Sequence, residues 1–586
     1  MTSTHHDNLA TLPPLLIPTA DVARLTGPEG AFDPVRIEIT PGAPWFSVRV
    51  TDSGTMIRAA DDTAKRAAIV VLAQLRNQYG ATPPAIEVQR TRPPHFAVRG
   101  AMLDVSRDRI PTMDHFVRIV ELLEVLGYNH LQLYTEHSFA YRGHEAAWRE
   151  SSPVTPEEAR LLDAFASSRG IELAANQNCF GHLAHWLRLP EYRHLAETHG
   201  DWMFDVWPRS GPFSLCPTSD DSAEFVAGLL DQLLPNFTSP LVNIGCDETY
   251  DIGWGRSEAA VKARGKASVY ADFVSRICAL VRERGKRPMF WADIALSHPE
   301  SLAQLPSDLL PLAWGYEPDS PFDRWTQSLR ALDRPFWVCP GTSTWRAITA
   351  RTTERRGNLE AAARQPAEGY LVCDWGDMGH WQPWPLTAFA LAEAAEFASR
   401  GPGVDAASLA RAISLQIFGD RSLQIAQWLA DLGDADLSLR ETCGLLTRKD
   451  RTRLANCTAL HADLFKPITE ARGVGATRDW NDTVERLESL AASRPSIDAA
   501  SDAQLDWTVR LALLAARRGR DRRRKSLPTP AQRAAIAREL RDLQREHAEL
   551  WALDSRPGGL AHSLSLFDQA RTATIAARHA GKRRKR

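Results

Sequence analysis

The sequence predicts an α/β protein, a (β/α)8 barrel of the TIM type preceded by a small α/β domain and followed by an α-helical C-terminal domain. Three observations support this prediction. Short apolar runs alternate with helical patterns from Phe96 to about Arg400, polar and aromatic residues stand where those runs end, and only helical patterns follow. We therefore expect domains at residues 1–94, 95–400 and 401–586.

The first region combines extended runs with one helix. Val35–Ile39 and Trp45–Val50 have the branched and aromatic composition of strands, and Asp62–Tyr79 has the period of an amphipathic helix that ends at Gly80. The dipeptide Pro93-Pro94 then interrupts the pattern. We interpret this region as the small α/β domain.

Eight apolar runs in the central region are candidate barrel strands, because parallel strands are buried on both faces and are apolar along their length. They are Phe96–Leu103, Asn129–Tyr134, Ile171–Ala175, Leu241–Ile244, Pro288–Phe290, Leu309–Ala313, Pro335–Val338 and Gly369–Val372. Helical patterns lie between several of them, at His115–Leu126, Thr155–Arg169, Ala223–Leu233 and Ala259–Arg284. Eight strands with crossover helices favour a closed barrel over an open sheet.

Polar and aromatic residues follow the predicted strands, and a barrel would bring them together at one face. They include Asp104, Glu136, Asn176, Asp247, Glu248, Trp291, Asp293, Trp314, Tyr316, Trp375 and Asp377. Tryptophan rings pack against the apolar faces of sugar rings, and carboxylates bind hydroxyl groups. The pattern indicates a carbohydrate site.

Two adjacent acids, Asp247 and Glu248, follow the run Leu241–Ile244 after a Gly-Cys dipeptide. Neighbouring side chains on a strand point to opposite faces, so at least one of these acids is expected in a pocket. The alternative is a solvated acidic turn that opens a helix, where carboxylates favour the helix dipole.

The region after residue 400 has only helical patterns. They are Ala406–Phe418, Ser422–Leu432, Trp480–Ala492, Asp502–Arg517 and Pro530–Asp554. Two basic runs, Arg517–Lys525 and Lys582–Arg586, lack interleaved aromatic residues that could stack on bases. We interpret both as solvated charge rather than as nucleic-acid patches.

Composition excludes several classes of protein. A formal net charge of −2 over 586 residues gives no general attraction to nucleic acid or to a membrane surface. No apolar run is long enough to span a bilayer and no secretory signal is recognised, so a cytoplasmic location is expected. The eight cysteines are scattered, which predicts free thiols, and the 17 histidines show no metal-binding spacing. No metal or cofactor is therefore predicted, and a homodimer stays open.

Several motifs, in this order, resemble those of the β-N-acetylhexosaminidases of glycoside hydrolase family 20. Arg99–Arg107 resembles the first barrel strand of that family, Phe180–His182 resembles its Gly-His after strand three, and Gly245–Glu248 resembles its catalytic Asp-Glu pair. The small domain before the barrel is similar to the one that precedes the catalytic barrel in these enzymes. The resemblance covers roughly residues 35–400.

The resemblance implies a role for each matching residue. Arg107 would bind the C3 and C4 hydroxyls of the terminal sugar, and His182 would support the catalytic acid. Glu248 would be that acid, and Asp247 would orient the substrate acetamide, whose oxygen attacks C1 in place of a protein nucleophile. Further residues of the sugar subsite would be Glu136, Trp291, Trp314, Trp375 and Asp377.

Three departures from the family pattern stand out. Trp375-Gly376-Asp377 has an aspartate where the family usually has glutamate, and Tyr134–His137 replaces the common His-x-His. The segment Cys339–Trp345 lacks the tyrosine that clamps the acetamide in the family, and Tyr316 on the neighbouring loop is a candidate substitute. These departures indicate a divergent, bacterial-type intracellular branch.

Three functions are compatible with the sequence. The first is an exo-acting β-N-acetylhexosaminidase that acts on a small oligosaccharide or glycoside. The second is a retaining β-glycosidase of the two-carboxylate type, with Glu248 as acid and Glu136 or Asp293 as nucleophile. The third is an inactive carbohydrate-binding barrel, against which the intact pair Asp247-Glu248 argues.

Overall fold

The computed structural model describes residues 9–17, 20–42, 44–442, 456–470, 476–524 and 527–576. In chain order these residues form a five-stranded sheet with one helix, a closed eight-stranded barrel and a group of helices. None of the described helices is both long and apolar enough to cross a membrane.

The N-terminal sheet contains five strands in the order β1-β5-β3-β4-β2, and only the β2–β4 pair is parallel. The elements are β1 (Val22–Gly27), β2 (Val35–Ile39), β3 (Phe46–Thr51), β4 (Gly54–Ala59), α1 (Asp62–Tyr79) and β5 (Ala85–Arg90). Helix α1 ends at Gly80, as predicted, and its apolar face packs on β3 and β4. The sequence pattern did not reveal β1, β4 or β5.

The central strands close into a parallel barrel, which confirms the predicted fold class. Its strands are β6 (Val98–Asp104), β7 (His130–Tyr134), β8 (Glu172–Asn176), β11 (Leu241–Asn243), β12 (Arg287–Trp291), β13 (Leu310–Trp314), β14 (Trp337–Cys339) and β15 (Gly369–Asp374). The sheet closes where β15 pairs with β6, from Gly369 opposite Val98 to Asp374 opposite Leu103. Each predicted strand overlaps one of these eight.

Between β8 and β11 the chain forms an antiparallel hairpin that the sequence did not indicate. Its strands are β9 (Asp201–Phe204) and β10 (Trp207–Ser210). The ring of Phe204 lies 5.1 Å from that of Tyr250, in the loop after β11. The hairpin therefore borders the predicted catalytic pair.

Crossover helices connect the barrel strands. They are α2 (Met113–Val125), α3 (Glu145–Trp148), α4 (Pro156–Ser168), α5 (Ala184–Leu187), α6 (Asp220–Leu233), α7 (Glu258–Arg264), α8 (Lys266–Glu283), α9 (Asp293–Ser297), α10 (Pro299–Leu302), α11 (Phe322–Arg330), α12 (Thr352–Ala363) and α13 (Trp384–Arg400). The predicted single helix Ala259–Arg284 is two helices, α7 and α8. Gly265, with φ of 83°, ends the first, because this left-handed conformation interrupts helical geometry.

A group of helices covers one side of the barrel. They are α14 (Ala406–Gln416), α15 (Ile425–Gly433), α16 (Leu437–Thr442), α17 (Ala459–Leu464), α18 (Thr477–Ala492), α19 (Ala499–Arg522), α20 (Pro530–Trp551) and α21 (Leu560–Ile575). Helices α14, α15 and α19 pack on α13, the last helix of the barrel. This packing buries residues 385–399 of α13.

The interpretation of Arg517–Lys525 as solvated charge is wrong for part of the run. Arg518 and Arg522 are both 0% exposed. Arg522 pairs with the buried Asp463 carboxylate, and Arg518 donates to the Asp463 carbonyl at 2.9 Å. These arginines bind α19 to α17, whereas Lys582–Arg586 lies outside the described residues.

Gly519 in α19 is expected to be intolerant of a side chain. A Cβ there would lie 2.1 Å from the ring of Trp480, a fully buried residue of α18. We expect Gly519→Ala to lower the free energy of unfolding by about 1–3 kcal/mol through overpacking, measured by urea denaturation.

The matched control is Gly228→Ala in α6, where no atom lies within 4 Å of the added Cβ. This change should stabilise the protein by about 0.5–1 kcal/mol, because alanine loses less backbone entropy in a helix. Equal effects of the two substitutions would contradict the packing argument.

Candidate active site

The loop after β11 brings both predicted catalytic acids to one point. Asp247 Oδ2 and Glu248 Oε2 lie 3.2 and 3.1 Å from the same atom, His182 Nε2. The expectation that the two acids diverge was wrong, because the strand ends at Asn243 and Glu248 has a φ of 53° rather than an extended conformation. The solvated-turn alternative is also wrong, since Asp247 is buried and the next helix begins only at Glu258.

Close backbone contacts shape this loop. Gly245 has a φ of 67°, and a Cβ on it would lie 2.1 Å from Asn178 Oδ1. A Cβ on Gly181 would lie 2.4 Å from the Asp247 carbonyl oxygen. Both glycines therefore let the loop after β8 lie directly against the catalytic pair, which places His182 beside the two carboxylates.

His182 is a cation among carboxylates. Burial lowers the pKa of its imidazole, but the Asp247 and Glu248 carboxylates outweigh burial and hold the pKa well above its usual range. On the other side of the ring, Nδ1 lies 3.6 Å from Glu136 Oε1. The ring of Phe213 packs against the imidazole with centroids 4.8 Å apart.

Arg107 reaches the same cluster from the end of β6. Its Nη1 lies 3.0 Å from Asp104 Oδ2, and its Nη2 lies 3.3 Å from Glu136 Oε1. The guanidinium stacks on the rings of Tyr134 and Trp375, at 4.9 and 4.8 Å from their centroids. This fixes its plane while 21% of the side chain stays exposed to the mouth.

Glu136 separates the two cations Arg107 and His182. Burial raises the pKa of Glu136, and the Arg107 charge offsets part of that rise. The Tyr134 hydroxyl donates to Glu136 Oε1 at 2.9 Å. His137, the next residue, instead stacks on His185 at 3.8 Å, and burial lowers its pKa to about 3. Of these two neighbours, only Glu136 belongs to the charged cluster.

Asp293 lies beneath the catalytic loop. The Glu248 backbone N–H donates to Asp293 Oδ2 at 3.1 Å. Burial, followed by the negative charges of Asp247 and Glu248, raises the pKa of Asp293 well above its usual range. Its carboxyl therefore holds the Glu248 backbone in place and is protonated at neutral pH.

Aromatic rings form one wall of the mouth. Trp291 and Trp375 have ring centroids 6.0 Å apart, and Trp314 stacks on Tyr316 at 5.2 Å with an interplanar angle of 24°. Trp345 meets Tyr316 edge-on at 5.1 Å. The buried Trp291 Nε1 makes no hydrogen bond with any part of the chain that the structure describes. An unpaired indole N–H at the mouth is a donor available to a bound ligand.

Asp377 lies at the rim, with its Oδ1 3.8 Å from Arg107 Nε and 38% of the side chain exposed. Together with Arg107 it faces the opening. The sequence did not single out Tyr134, Phe213 or Trp345 as site residues. Each is a ring that orients another side chain, a role that leaves no motif in the sequence.

His182, Asp247 and Glu248 also form a group that could hold a metal ion, with ligand atoms within 4.8 Å of one another. A metal-bound histidine must be neutral. The raised pKa of His182 instead favours a proton on this ring. The residues therefore fit a proton better than a metal.

The raised pKa of His182 predicts a pH-dependent contribution to stability. That contribution is complete below the unfolded-state pKa of about 6.5 and declines as pH rises toward the folded-state pKa, by at most about 1.4 kcal/mol per pH unit. We expect the stability difference between wild type and His182→Asn, measured by urea denaturation, to shrink between pH 6.5 and 8.5.

The control is His185→Asn. Burial lowers the pKa of His185, so its protonation in either state changes little above pH 6.5. Parallel pH profiles for the wild-type protein and His182→Asn would contradict the cationic assignment.

Comparison with known proteins agrees with this geometry. Residues 96–327 match the family described as glycosyl hydrolase family 20, catalytic domain. The chain is 24% identical over 282 residues to a beta-hexosaminidase of Akkermansia muciniphila, covering 43% of this chain and 57% of that protein. It is 25% identical over 233 residues to human hexosaminidase D, covering 38% of this chain and 46% of that protein. The chain thus spans about half the length of these relatives.

Solved structures show the same fold. The crystal structure of a beta-N-acetylhexosaminidase superimposes with a TM-score of 0.56 at 18% identity, covering 69% of this chain and 96% of that one. A Streptomyces plicatus N-acetyl-beta-hexosaminidase gives 0.53 at 15% identity, covering 72% and 96%. Because the matched barrel also carries the Asp-Glu pair with its histidine, the chain is a divergent member of glycoside hydrolase family 20.

Proposed function

We propose that this protein is an exo-acting β-N-acetylhexosaminidase that releases terminal β-linked N-acetylglucosamine or N-acetylgalactosamine from an oligosaccharide or glycoside. The observation that carries the proposal is the convergence of Asp247 and Glu248 on His182, at a mouth walled by Trp291, Trp314 and Trp375. Carboxylates beside aromatic rings suit the polar edges and apolar faces of a sugar.

In the proposed mechanism Glu248 protonates the leaving oxygen and later activates water. The substrate's 2-acetamido oxygen attacks C1, so that the configuration is retained after two inversions. Asp247 accepts a hydrogen bond from the acetamide N–H and stabilises the positive charge that develops on the cyclised intermediate. The His182 imidazolium keeps both carboxylates oriented toward the same point.

Binding of the sugar is assigned to the exposed groups of the mouth. Arg107 and Asp377 are half-open to solvent and are placed to bind the C3 and C4 hydroxyls. The family's acetamide-clamping tyrosine has no counterpart between Cys339 and Trp345, and we assign its role to Tyr316. Its position against Trp314 and Trp345 supports this choice.

The two-carboxylate alternative is less well supported. The separation of Asp247 and Glu248 does not decide the mechanism, because their oxygens lie within 4.8 Å of each other. Its candidate nucleophiles are poor, however. Glu136 is engaged by Tyr134 and Arg107, and Asp293 is protonated because its pKa is raised. An acid without its charge does not act as a nucleophile.

A panel of chromogenic β-glycosides tests the function directly. Cleavage of 2-acetamido sugars alone would support the proposal. Cleavage of sugars with a 2-hydroxyl would favour the two-carboxylate mechanism, and no cleavage of any substrate would favour a binding protein.

The acid role of Glu248 predicts a dependence on the leaving group. Glu248→Gln keeps the shape of the side chain and removes the proton, so turnover on natural glycosides should fall by about 10²–10⁴-fold. An aryl glycoside with a very good leaving group should lose much less. Equal losses on good and poor leaving groups, measured as kcat, would count against this role.

The nucleophile is tested by trapping. Asp247→Asn should lower kcat by about 10²–10³-fold, as for other groups that stabilise developing charge. A thiazoline analogue of the cyclised intermediate should bind far more tightly than the parent sugar. If instead a 2-fluoro sugar forms an ester on Glu136 or Asp293, seen by mass spectrometry of the intact protein, the substrate-assisted mechanism fails.

A further inference from the structure

The sugar-binding side of the mouth lies against the C-terminal helices. Two loops form that side: the first loop (residues 105–112, after β6), which carries Arg107, and the eighth loop (residues 375–383, after β15), which carries Asp377. Both loops contact residues 551–567, the turn between α20 and α21 with its flanking residues. We call this segment the brace.

The brace pairs with the backbone of the first loop. The Thr112 N–H donates to the Asp554 carbonyl at 2.9 Å, and the Arg556 N–H donates to the Ile110 carbonyl at 2.8 Å. A surface loop seldom has such strand-like pairing with a segment more than 400 residues away. The pairing fixes the far end of the first loop relative to α20 and α21.

Side chains fix the near end of the first loop. Arg109 Nη1 lies 2.8 Å from Asp554 Oδ1, with the two side chains only 11% and 7% exposed, and its guanidinium lies 4.5 Å from the Trp551 ring centroid. Next to it, Gly559 approaches Asp108 so closely that a Cβ would lie 2.0 Å from the Asp108 carbonyl oxygen. Only glycine fits this contact.

The same segment holds the eighth loop. Ser563 Oγ donates to the Gly379 carbonyl at 2.5 Å, and the Trp381 ring packs on that of Phe567 with centroids 4.5 Å apart. A Cβ on Gly379 would lie 2.6 Å from Leu566 Cδ1. The second half of the brace therefore lies in close contact with this loop.

The two loops also bind each other at the site. His380 Nδ1 donates to the Arg107 carbonyl at 3.2 Å, and the Gly376 N–H donates to Asp104 Oδ2 at 3.0 Å. Asp104 is the same carboxylate that pairs with Arg107. A displacement of either loop would thus change the position of the Arg107 guanidinium.

We propose that the brace is a positioning element of the sugar site, in which Asp554, Gly559 and Ser563 set the separation and orientation of Arg107 and Asp377. The consequence for substrate rests on the proposed function, because it takes these two side chains to bind the C3 and C4 hydroxyls. Asp247, Glu248 and His182 lie on loops that the brace does not touch in the contacts above. Loss of the brace should therefore weaken binding of the sugar and leave the chemical step largely intact.

The test compares Gly559→Ala with Gly419→Ala in the full-length protein. Both glycines have positive φ, 78° and 64°, but a Cβ on Gly419 would meet nothing within 4 Å. The control thus carries the same backbone strain without the contact. Ser563→Ala is the second variant, to be used if Gly559→Ala fails to fold.

Amide hydrogen exchange provides a readout that does not depend on activity. We expect exchange in residues 105–112 and 376–381 to accelerate by about tenfold in Gly559→Ala and to stay at the wild-type rate in Gly419→Ala. Unchanged exchange in both loops would overturn the proposal.

Kinetics test the consequence for the sugar. With a 4-nitrophenyl 2-acetamido glycoside, Gly559→Ala should raise KM by about fivefold and change kcat little. With the 4-deoxy analogue, which lacks a hydroxyl assigned to these side chains, the two KM values should be nearly equal. Equal losses on both substrates would indicate a general loss of folded protein and would overturn the proposal. If the wild-type protein cleaves neither substrate, the proposed function fails, and hydrogen exchange still decides whether the brace fixes the loops.

Discussion

The His182 imidazolium lies among three carboxylates, and the mouth of the barrel depends on that arrangement. Asp247 and Glu248 meet its Nε2, and Glu136 faces its Nδ1 and links it to Arg107. Charges buried this deeply are tolerated only when they are paired, and removal of one partner destabilises a protein by about 3–5 kcal/mol. Loops from four strands are thereby held to one point, which is the same point at which a glycosidic bond would be cleaved.

The barrel could be predicted from the sequence because its strands are buried on both faces and therefore appear as continuous apolar runs. The hairpin Asp201–Ser210 could not, since its strands are only four residues long and contain Pro208. The burial of Arg518 and Arg522 was equally hidden, because their partner Asp463 lies more than 50 residues away. Local composition reports the charge of a segment and not the carboxylate that neutralises it.

The identity of the predicted site residues came from motif order, whereas their arrangement needed the structure. Asp247 and Glu248 were expected to diverge as strand neighbours, yet the left-handed Gly245 and Cys246 turn the chain before them. The loop after β14 shows the same limit. A Cβ on Gly341 would lie 2.5 Å from the Trp345 ring, so this glycine gives room to an indole that the family pattern does not include. The aromatic wall is thus rebuilt around Tyr316 by contacts between loops.

Helix α13 has a consequence for how this enzyme can be divided. It completes the barrel, yet helices on its outer side bury residues 385–399, and its Glu393 is paired with Arg355 and Arg356. A fragment that stopped at residue 400 would present this apolar helix to water and would be prone to aggregate. The catalytic barrel is therefore not a portable module: a chimera or a minimal enzyme built from it must retain the helices that follow.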